Sequence, residues 1–493
     1  MKHKIKKLLC GVLVMCQVFT VTAFAKPEWP RDTGIMAEAG SVMDVDSGTM
    51  LFGQNSHVEY PPASITKLLT ALVVLENVDN LSATVEFTES AMMNVEADSG
   101  NKMSLVIGDT MTVEDALYAL LLQSVNQSAN ALAEHVAGSM DAFVEMMNEK
   151  LVELGCQDSH FDNPSGLNGD TQNVSAYDMA LIACAAFNNE KLLEISSTES
   201  YRTGAIENHP DGYLLKQEHR LVITDDPESP FYFPEAVAGK TGYLLKAGNT
   251  LVTYAEKDGR RLVSVILKGS PRQYFVDGKE LLRFGFDSFY NVGIAENETD
   301  YVTGEAPVEI GGNSYEPSEL KIEEGRVITL PEGAVFADAE LTLVDLPEEH
   351  PEDAVGLLCY IYNERKIGEA YLLRKDGAVA AGADAAGSSD GSTVDAAESV
   401  PAEAKEPDAD IVEAKKVSKD EEGGGFPILP LFVLLLFGAA GGGGYYWIQN
   451  ERKKEAEEAA RRREKRRQRL MEEGAEAEAE FNRLLEAKRN RKK

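Results

Sequence analysis

Two hairpin patterns, one near each end of a long mixed segment, most constrain how this 493-residue chain can fold. In each pattern two apolar runs flank a turn: Ser41–Asp44 with Thr49–Phe52, and Leu251–Ala255 with Leu262–Leu267. Helical patterns occupy the segment between them: Ile65–Glu76, Val113–Leu122 and Ser175–Phe187. Strands at both ends of a helical middle predict an α+β domain over residues 26–296, with an antiparallel sheet assembled from the two ends and helices packed on it.

The character of the sequence changes after residue 296. Short β-rich runs alternate with Gly, Pro and acidic turns: Val308–Ile310, Arg326–Leu330, Ala339–Val344, Ala354–Tyr362 and Lys366–Leu373. They predict a small all-β domain over residues 297–375. Residues 376–425 are rich in Ala, Gly, Asp, Glu and Ser, so we expect a disordered acidic linker that cannot bury a core.

An apolar run near the N-terminus indicates export. Residues 1–25 begin with Lys2, Lys4, Lys6 and Lys7, continue through an apolar stretch and close at Ala-Phe-Ala. This order is typical of a secretory signal peptide that is cleaved after Ala25. An uncleaved anchor is the alternative, and it is weaker because the apolar stretch is short for a membrane span.

A second apolar run, residues 426–448, contains no charged residue and is long enough to cross a bilayer. Tyr445, Tyr446 and Trp447 form an interfacial aromatic group, and many basic residues follow from Arg452 onward. Because basic residues mark the cytoplasmic side, we predict a single-pass cell-membrane protein. Residues 26–425 would then lie on the cell-wall side, and residues 449–493 would form a charged cytoplasmic tail.

Composition excludes several classes of function. The formal net charge of −34 argues against nucleic acid as a partner, because phosphate binding needs a basic surface. Cys156, Cys184 and Cys359 remain after signal removal, which is too sparse a set for a disulfide framework, and the sequence does not select a pair. The seven histidines show no close ligand spacing, so neither a metal site nor a cofactor is expected.

Three short patterns occur in order and point to acyl transfer by a serine: Ser64–Lys67 (Ser-Ile-Thr-Lys), Ser124–Asn126 (Ser-Val-Asn) and Lys240–Gly242 (Lys-Thr-Gly). The first opens an apolar helix, the second lies between two helices, and the third is expected just before a strand. Ser64 and Lys67, three positions apart, share one helix face. The helix N-terminus favours a developing alkoxide on Ser64. We therefore predict Ser64 as nucleophile and Lys67 as general base, with a pKa lowered by apolar surroundings and nearby cations.

The other two patterns supply the remaining groups that acyl transfer to a peptide needs. Ser124 is predicted to relay a proton to the leaving amine, and Asn126 to bind an amide of the substrate. Lys240 brings a second positive charge and, with the hydroxyl of Thr241, would bind a terminal carboxylate. Gly242 would allow close approach of the substrate backbone to a strand. Backbone N–H groups, including that of Ser64, would form the oxyanion hole.

Each pattern alone is weak. Ser318–Lys321 repeats the Ser-x-x-Lys spacing without downstream partners, and Ser128–Asn130 competes with Ser124–Asn126. We prefer Ser124 because it follows a helix end, whereas Ser128 lies inside a helix. The structural alternatives are a helix cap at Ser124 and a surface lysine at position 240.

At these residues the chain resembles the serine-type D-alanyl-D-alanine carboxypeptidases, the low-molecular-mass penicillin-binding proteins. The likeness covers residues 35–290 and includes further segments: Ala131–Glu134, Asn163–Leu167 (Asn-Pro-Ser-Gly-Leu), Tyr243 and Ala247-Gly248. It implies a penicillin-binding/β-lactamase-like transpeptidase fold and an acyl-enzyme on Ser64. The implied substrates are peptidoglycan pentapeptide stems, which lose a terminal D-alanine, and the implied inhibitors are β-lactam antibiotics. Residues 297–375 would correspond to the family's C-terminal β-domain.

Two features bear on this resemblance. Arg272 stands where a carboxylate-binding arginine would be expected, and a surface arginine is the alternative. The predicted span replaces the amphipathic helix with which family members commonly end.

Two other functions share the three patterns. A serine β-lactamase would need a deacylating glutamate ahead of Lys240, and the sequence around Asn163–Leu167 offers no convincing candidate. A catalytically silent cell-wall-binding receptor would keep the pocket without turnover, and the presence of all the predicted catalytic residues argues against it.

Overall fold

The computed structural model describes residues 26–95, 99–347 and 349–375. The predicted signal peptide, linker, transmembrane segment and cytoplasmic tail lie outside the described residues. No helix in those three ranges combines the length and the apolar character that crossing a bilayer requires.

The elements of the described residues are numbered in chain order. The strands are β1 (Ala39–Asp44), β2 (Met50–Gln54), β3 (Thr84–Glu86), β4 (Thr110–Thr112), β5 (Ser200–Arg202), β6 (Leu214–Lys216), β7 (Ala236–Leu244), β8 (Gly248–Lys257), β9 (Arg260–Gly269), β10 (Phe289–Gly293), β11 (Val308–Ile310), β12 (Asn313–Tyr315), β13 (Leu320–Ile322), β14 (Val327–Pro331), β15 (Glu340–Val344), β16 (Ala354–Tyr362) and β17 (Arg365–Arg374). The α-helices are α1 (Lys67–Asn77), α2 (Glu89–Met93), α3 (Val113–Leu122), α4 (Asn126–Ala137), α5 (Met140–Glu153), α6 (Ala176–Asn188), α7 (Glu190–Ser197), α8 (Arg220–Ile223) and α9 (Gln273–Ser288).

A five-stranded sheet with the order β2-β1-β9-β8-β7 forms the centre of the fold. Every neighbouring pair in it is antiparallel. Strand β1 pairs with β9 from Ala39 opposite Leu267 to Asp44 opposite Leu262. Both predicted hairpins are present, and the predicted antiparallel sheet built from the two ends of the segment is confirmed.

Both faces of the sheet are covered by helices, because α6 and α9 each contact β1, β8 and β9. Alternate residues of a strand therefore enter different apolar clusters. Met43 and Val263 belong to one cluster, whereas their neighbours Val42 and Leu262 belong to the other. Because both faces of the sheet are buried, the sequences of β8 and β9 are nearly continuous runs of apolar residues.

Helix α1 carries the Ser-x-x-Lys lysine and is surrounded by other helices. It contacts α3, α4, α5 and α6, and its residues from Lys67 to Val74 are buried. A helix that is apolar on all sides is stable only inside such a layer. Helix α3 begins as the sequence predicts, because the Thr112 hydroxyl accepts a hydrogen bond from Asp115 N at 3.0 Å.

The strands after residue 296 lie close to their predicted positions. Val308–Ile310 and Ala354–Tyr362 match in full, whereas β12 and β13 had no sequence signal. Strands β13, β17, β16 and β15 form a four-stranded sheet, and β10 pairs with β14 across the predicted boundary. Trp29 packs against both Phe289 and Tyr362, so one apolar cluster continues across that boundary.

The described residues include cysteines and other potential metal ligands. Cys156, Cys184 and Cys359 are free thiols. In the described ranges, no group of three or more His, Cys, Asp or Glu side chains is arranged to hold a metal ion.

Candidate active site

Ser64 and Lys67 lie where a short 3₁₀ turn, Ala63–Thr66, meets α1. Ala63 has a φ of 52°, a left-handed conformation that is uncommon outside glycine, and the Thr66 hydroxyl closes the turn by donating to the Ala63 carbonyl at 2.9 Å. Ser64 is half-buried, whereas Lys67 is fully buried. The Lys67 Nζ lies 3.0 Å from the Ser64 Oγ, so the predicted pair is in hydrogen-bond contact.

Two further acceptors hold the Lys67 amine. Its Nζ donates to the Asn126 Oδ1 at 2.8 Å and to the backbone carbonyl of Ser165. Both oxygens can only accept, so they take hydrogens from the amine. A neutral amine has two hydrogens and one lone pair, and with both hydrogens used the lone pair is left for the Ser64 hydroxyl.

Burial and positive charge favour the neutral amine. Burial lowers the pKa of Lys67 well below its usual range, and the charges of Lys240 and Lys102 lower this pKa further, while Glu218 opposes them. Burial also lowers the pKa of Lys240, to about 8; Glu218 opposes this shift and Lys102 adds to it. The site thus contains one lysine suited to lose a proton and one that is still charged at neutral pH.

The Lys-Thr-Gly pattern lies inside β7, and the expectation that it precedes a strand is wrong. Lys240, Thr241 and Gly242 are opposite Val252, Leu251 and Thr250 of β8. The sequence has no stop or start signal at this point, and the long pairing with β8 determines where the strand begins. Lys240 is only 2% exposed, and its Nζ donates to the Thr241 carbonyl at 3.0 Å.

The strand pair β7–β8 is attached to the Ser64 turn. The Thr250 hydroxyl donates to the Pro62 carbonyl at 2.9 Å. Gly242 lies against the backbone nitrogen of Ser64 and the Cβ of Ala63. The predicted reason for this glycine was close approach by the substrate; the structure adds close approach by the enzyme's own nucleophile turn.

The structure distinguishes the two competing Ser-x-Asn patterns. Asn126, the first residue of α4, accepts from Lys67, whereas Asn130 donates to the carbonyls of Ala91 and Asn94 and so supports a neighbouring segment. Ser124 lies between α3 and α4 with a φ of 57°. Its buried Oγ has no hydrogen-bond partner among the described residues. Ser124–Asn126 is therefore the pattern that borders Lys67.

The repeated Ser-x-x-Lys spacing at Ser318 and Lys321 lies elsewhere. Ser318 is in a 3₁₀ turn of the β-rich region, where its carbonyl accepts from Lys375. The Lys321 Nζ lies 3.9 Å from a carboxylate oxygen of Asp353. No second catalytic pair forms there.

The loop Asn163–Leu167 is part of the site, although its sequence suggested only a family resemblance and no role. The Asn163 Oδ1 accepts from Ser165 N at 3.2 Å, from Ser165 Oγ at 2.9 Å and from Gly166 N at 2.9 Å. The Thr70 hydroxyl, one turn after Lys67, donates to the Pro164 carbonyl at 2.6 Å. An Asx turn predicted at Asn-Pro-Ser-Gly would have revealed the loop's shape, but not its contact with Lys67.

Gly166 shows how closely this loop packs on the nucleophile turn. Its φ of 80° is unfavourable for other residues, and a Cβ placed there would overlap the Ala63 carbonyl and lie 2.8 Å from the Thr66 Oγ1.

Arg272 is not brought into contact with the other predicted residues. It is exposed just before α9, with a φ of 65°, and its side chain forms no hydrogen bond or ion pair with a described residue. A role for Arg272 in binding stays a prediction.

The chain is similar in sequence to known proteins. The peptidase S11 family model, described as D-alanyl-D-alanine carboxypeptidase, matches residues 25–270. The carboxypeptidase DacF of Bacillus subtilis is 30% identical over 294 residues, which cover 59% of this chain and 72% of that protein. DacB2 of Mycobacterium tuberculosis is 32% identical over 266 residues, covering 53% and 84%.

This chain belongs to the D-alanyl-D-alanine carboxypeptidase family. The resemblance seen in the sequence is confirmed. Penicillin-binding protein 5 of Haemophilus influenzae matches 71% of this chain and 98% of its own, with a TM-score of 0.54 at 23% identity, which shows a common fold. The predicted penicillin-binding-protein fold is thus confirmed for the mixed helix and sheet region of this family member.

Proposed function

We propose that this chain is a serine DD-carboxypeptidase that removes the terminal D-alanine from peptidoglycan pentapeptide stems during cell-wall maturation. The observation that carries the proposal is the buried Lys67 amine, which contacts the Ser64 Oγ while two acceptors hold its hydrogens. Family membership supplies the substrate class.

The first step forms an acyl-enzyme. The Lys67 lone pair accepts the Ser64 proton, and the Ser64 Oγ attacks the carbonyl carbon of the penultimate D-alanine. The negative charge moves to the carbonyl oxygen, where the backbone N–H of Ser64 donates to it. Strand β7 lies beside this nitrogen, so a peptide bound along the strand would have its reacting carbonyl next to the backbone N–H of Ser64.

The second step expels D-alanine. The proton held by Lys67 passes through the Ser124 hydroxyl to the leaving amine as the C–N bond breaks. The Ser124 Oγ suits this role because it is buried and has no partner among the described residues, so its hydrogen bonds are available. Water then attacks the ester carbonyl, the shortened peptide leaves, and Ser64 recovers its proton.

Lys240 and Thr241 would bind the terminal carboxylate that a D-alanine end carries. Lys240 is buried on β7, and Thr241 follows it on the strand that approaches Ser64. A cation and a hydroxyl on the strand beside the nucleophile favour peptides with a free C-terminus. β-Lactam antibiotics would acylate the same Ser64.

We propose also that the protein is exported and attached to the cell membrane, with its catalytic domain on the cell-wall side. The signal-peptide pattern of residues 1–25 and the apolar run 426–448 followed by basic residues support this placement.

The test uses the full-length protein in detergent, a pentapeptide substrate and mass spectrometry of the products. We expect loss of one D-alanine, and no loss with Ser64→Ala. A labelled penicillin added in parallel should give a long-lived adduct on Ser64. Rapid turnover of the penicillin would indicate a β-lactamase, and an adduct without D-alanine release would indicate a silent receptor; either result contradicts the proposal.

A further inference from the structure

We propose that Lys102 and Glu218, as an ion pair, place two opposite and nearly cancelling charges beside Lys67 and Lys240, so that the pH range over which the site works depends on both partners being present. The inference rests on the proposed function only for its choice of assay.

The ion pair is well formed. The Lys102 Nζ lies 2.9 Å from one carboxylate oxygen of Glu218 and 3.3 Å from the other. The two side chains are 42% and 40% exposed, so the pair is partly open to solvent. Neither residue belongs to a sequence pattern that pointed to catalysis.

The Lys102 side is anchored next to Asn126. Gln127, which is 3% exposed and follows Asn126 on α4, donates from its Nε2 to the Gly100 carbonyl at 3.3 Å. The Tyr213 hydroxyl donates to the carbonyl of Lys102 itself at 3.1 Å. These contacts fix the backbone of Lys102 relative to the helix whose first residue accepts from Lys67.

The Glu218 side is anchored next to Lys240. The Gln217 Oε1 accepts from the backbone N–H of Glu218 at 2.9 Å, and its Nε2 donates to the Ser196 carbonyl at 2.7 Å. The Ser196 Oγ in turn accepts from Gly239 N at 3.2 Å, one residue before Lys240. Glu218 is therefore held in a fixed position relative to the strand that carries Lys240.

The two charges act in opposite directions on both buried lysines. Lys102 lowers the pKa of Lys67 and of Lys240, and Glu218 raises both. The His219 ring also lies against this strand, beside Gly239, and burial lowers its pKa to about 3, so it is neutral. While the pair is intact the two opposing effects partly cancel, and the net field on the site lysines is small.

Removal of one partner should therefore expose the charge of the other. In Lys102→Gln the Glu218 carboxylate stays, so Lys67 and Lys240 hold their protons to higher pH and both limbs of the kcat/KM profile move to higher pH. In Glu218→Gln the Lys102 ammonium stays, so Lys67 and Lys240 lose their protons at lower pH and both limbs move down. The double variant removes both charges and should return close to the original profile.

The experiment measures kcat/KM for D-alanine release against pH in the full-length protein. We expect shifts of about half a pH unit, opposite in sign for the two single variants, and smaller at high ionic strength because the pair is partly exposed. Lys257→Gln and Asp287→Asn, which neutralise a separate exposed ion pair, are matched controls and should not shift the profile.

Loss of activity in both single variants without opposite shifts, or no shift in either, would overturn the proposal and leave the pair as a structural clamp. Acylation of Ser64 by labelled penicillin is followed over the same pH range. An unmodified protein that is acylated but releases no D-alanine would thus contradict the proposed function, while the acylation profiles would still test the ion pair.

Discussion

A Cβ placed on Gly242 would lie 2.9 Å from the backbone nitrogen of Ser64, so β7 approaches the nucleophile as closely as a glycine permits. The same Cβ would overlap the Oγ1 of Thr250, which holds the Pro62 carbonyl. The position of the Ser64 turn therefore depends on the absence of a side chain on the neighbouring strand.

Gly242→Ala should displace the Ser64 turn from β7. We expect the rate of acylation by labelled penicillin to fall about 100-fold, because small displacements of a nucleophile have effects of that order. Gly356→Ala is the control: it lies on β16, and its nearest neighbour is the end of the Leu343 side chain. Unchanged acylation in Gly242→Ala would show that the close approach has no role.

The pH profile should reflect the two buried lysines. Activity should rise with pH as Lys67 loses its proton, and fall above about pH 8 as Lys240 loses its charge. This loss of activity should appear as an increase in KM, because Lys240 binds the substrate carboxylate in our proposal. Lys240→Arg keeps its charge to much higher pH and should move the fall upward, even if the basal rate is lower. A profile of the unmodified protein that stays flat through pH 8 would contradict this assignment.

Ser124 and Ser128 offer a matched pair of substitutions. Both hydroxyls are buried without a partner among the described residues, but only Ser124 belongs to the pattern that contacts Lys67. Ser124→Ala should lower kcat for D-alanine release by about 100-fold, in the range typical of proton transfer by a positioned group. Ser128→Ala should leave kcat close to its original value. Equal losses in the two variants would indicate a general packing effect.

Asn163→Ala should impair the base by loosening the loop that presents the Ser165 carbonyl. Asn163 accepts three hydrogen bonds within the loop, so we expect a loss of about 1–3 kcal/mol of stability and a clear fall in acylation rate. Asn189→Ala removes the N-cap of α7, where Asn189 accepts from Leu192 N at 3.1 Å, and should cost about 1 kcal/mol with acylation unchanged. Thermal unfolding and penicillin acylation measured on both variants separate the two effects.

Arg272 lies just beyond the end of β9. At that end Gly269 pairs with Asn249 of β8, and Asn249 pairs with Tyr243 of β7, the residue after Gly242. Arg272→Ala should therefore raise KM by about tenfold for a peptide with a free C-terminal carboxylate, the loss expected for one charge-assisted hydrogen bond. Arg283→Ala, an exposed arginine on α9, is the control. If KM is the same in the two variants, Arg272 is a surface residue.

Features that depend on near neighbours along the chain could be predicted from the sequence. Two hairpins follow from apolar runs around turns, helix α3 follows from its helical period, and the Ser64–Lys67 contact follows from three-residue spacing. These features need only local backbone geometry and side-chain period, which a sequence shows directly.

The groups that surround the base Lys67, by contrast, could be identified only from the folded chain. The acceptors of Lys67 are 59 and 98 residues away, and the opposing charges of Lys102 and Glu218 come from two loops that are separated by 116 residues. No local pattern records such pairings, because they arise when independent segments are packed against the same buried helix. The Lys-Thr-Gly pattern was misplaced for the same reason: pairing with β8, not a local signal, makes it part of β7.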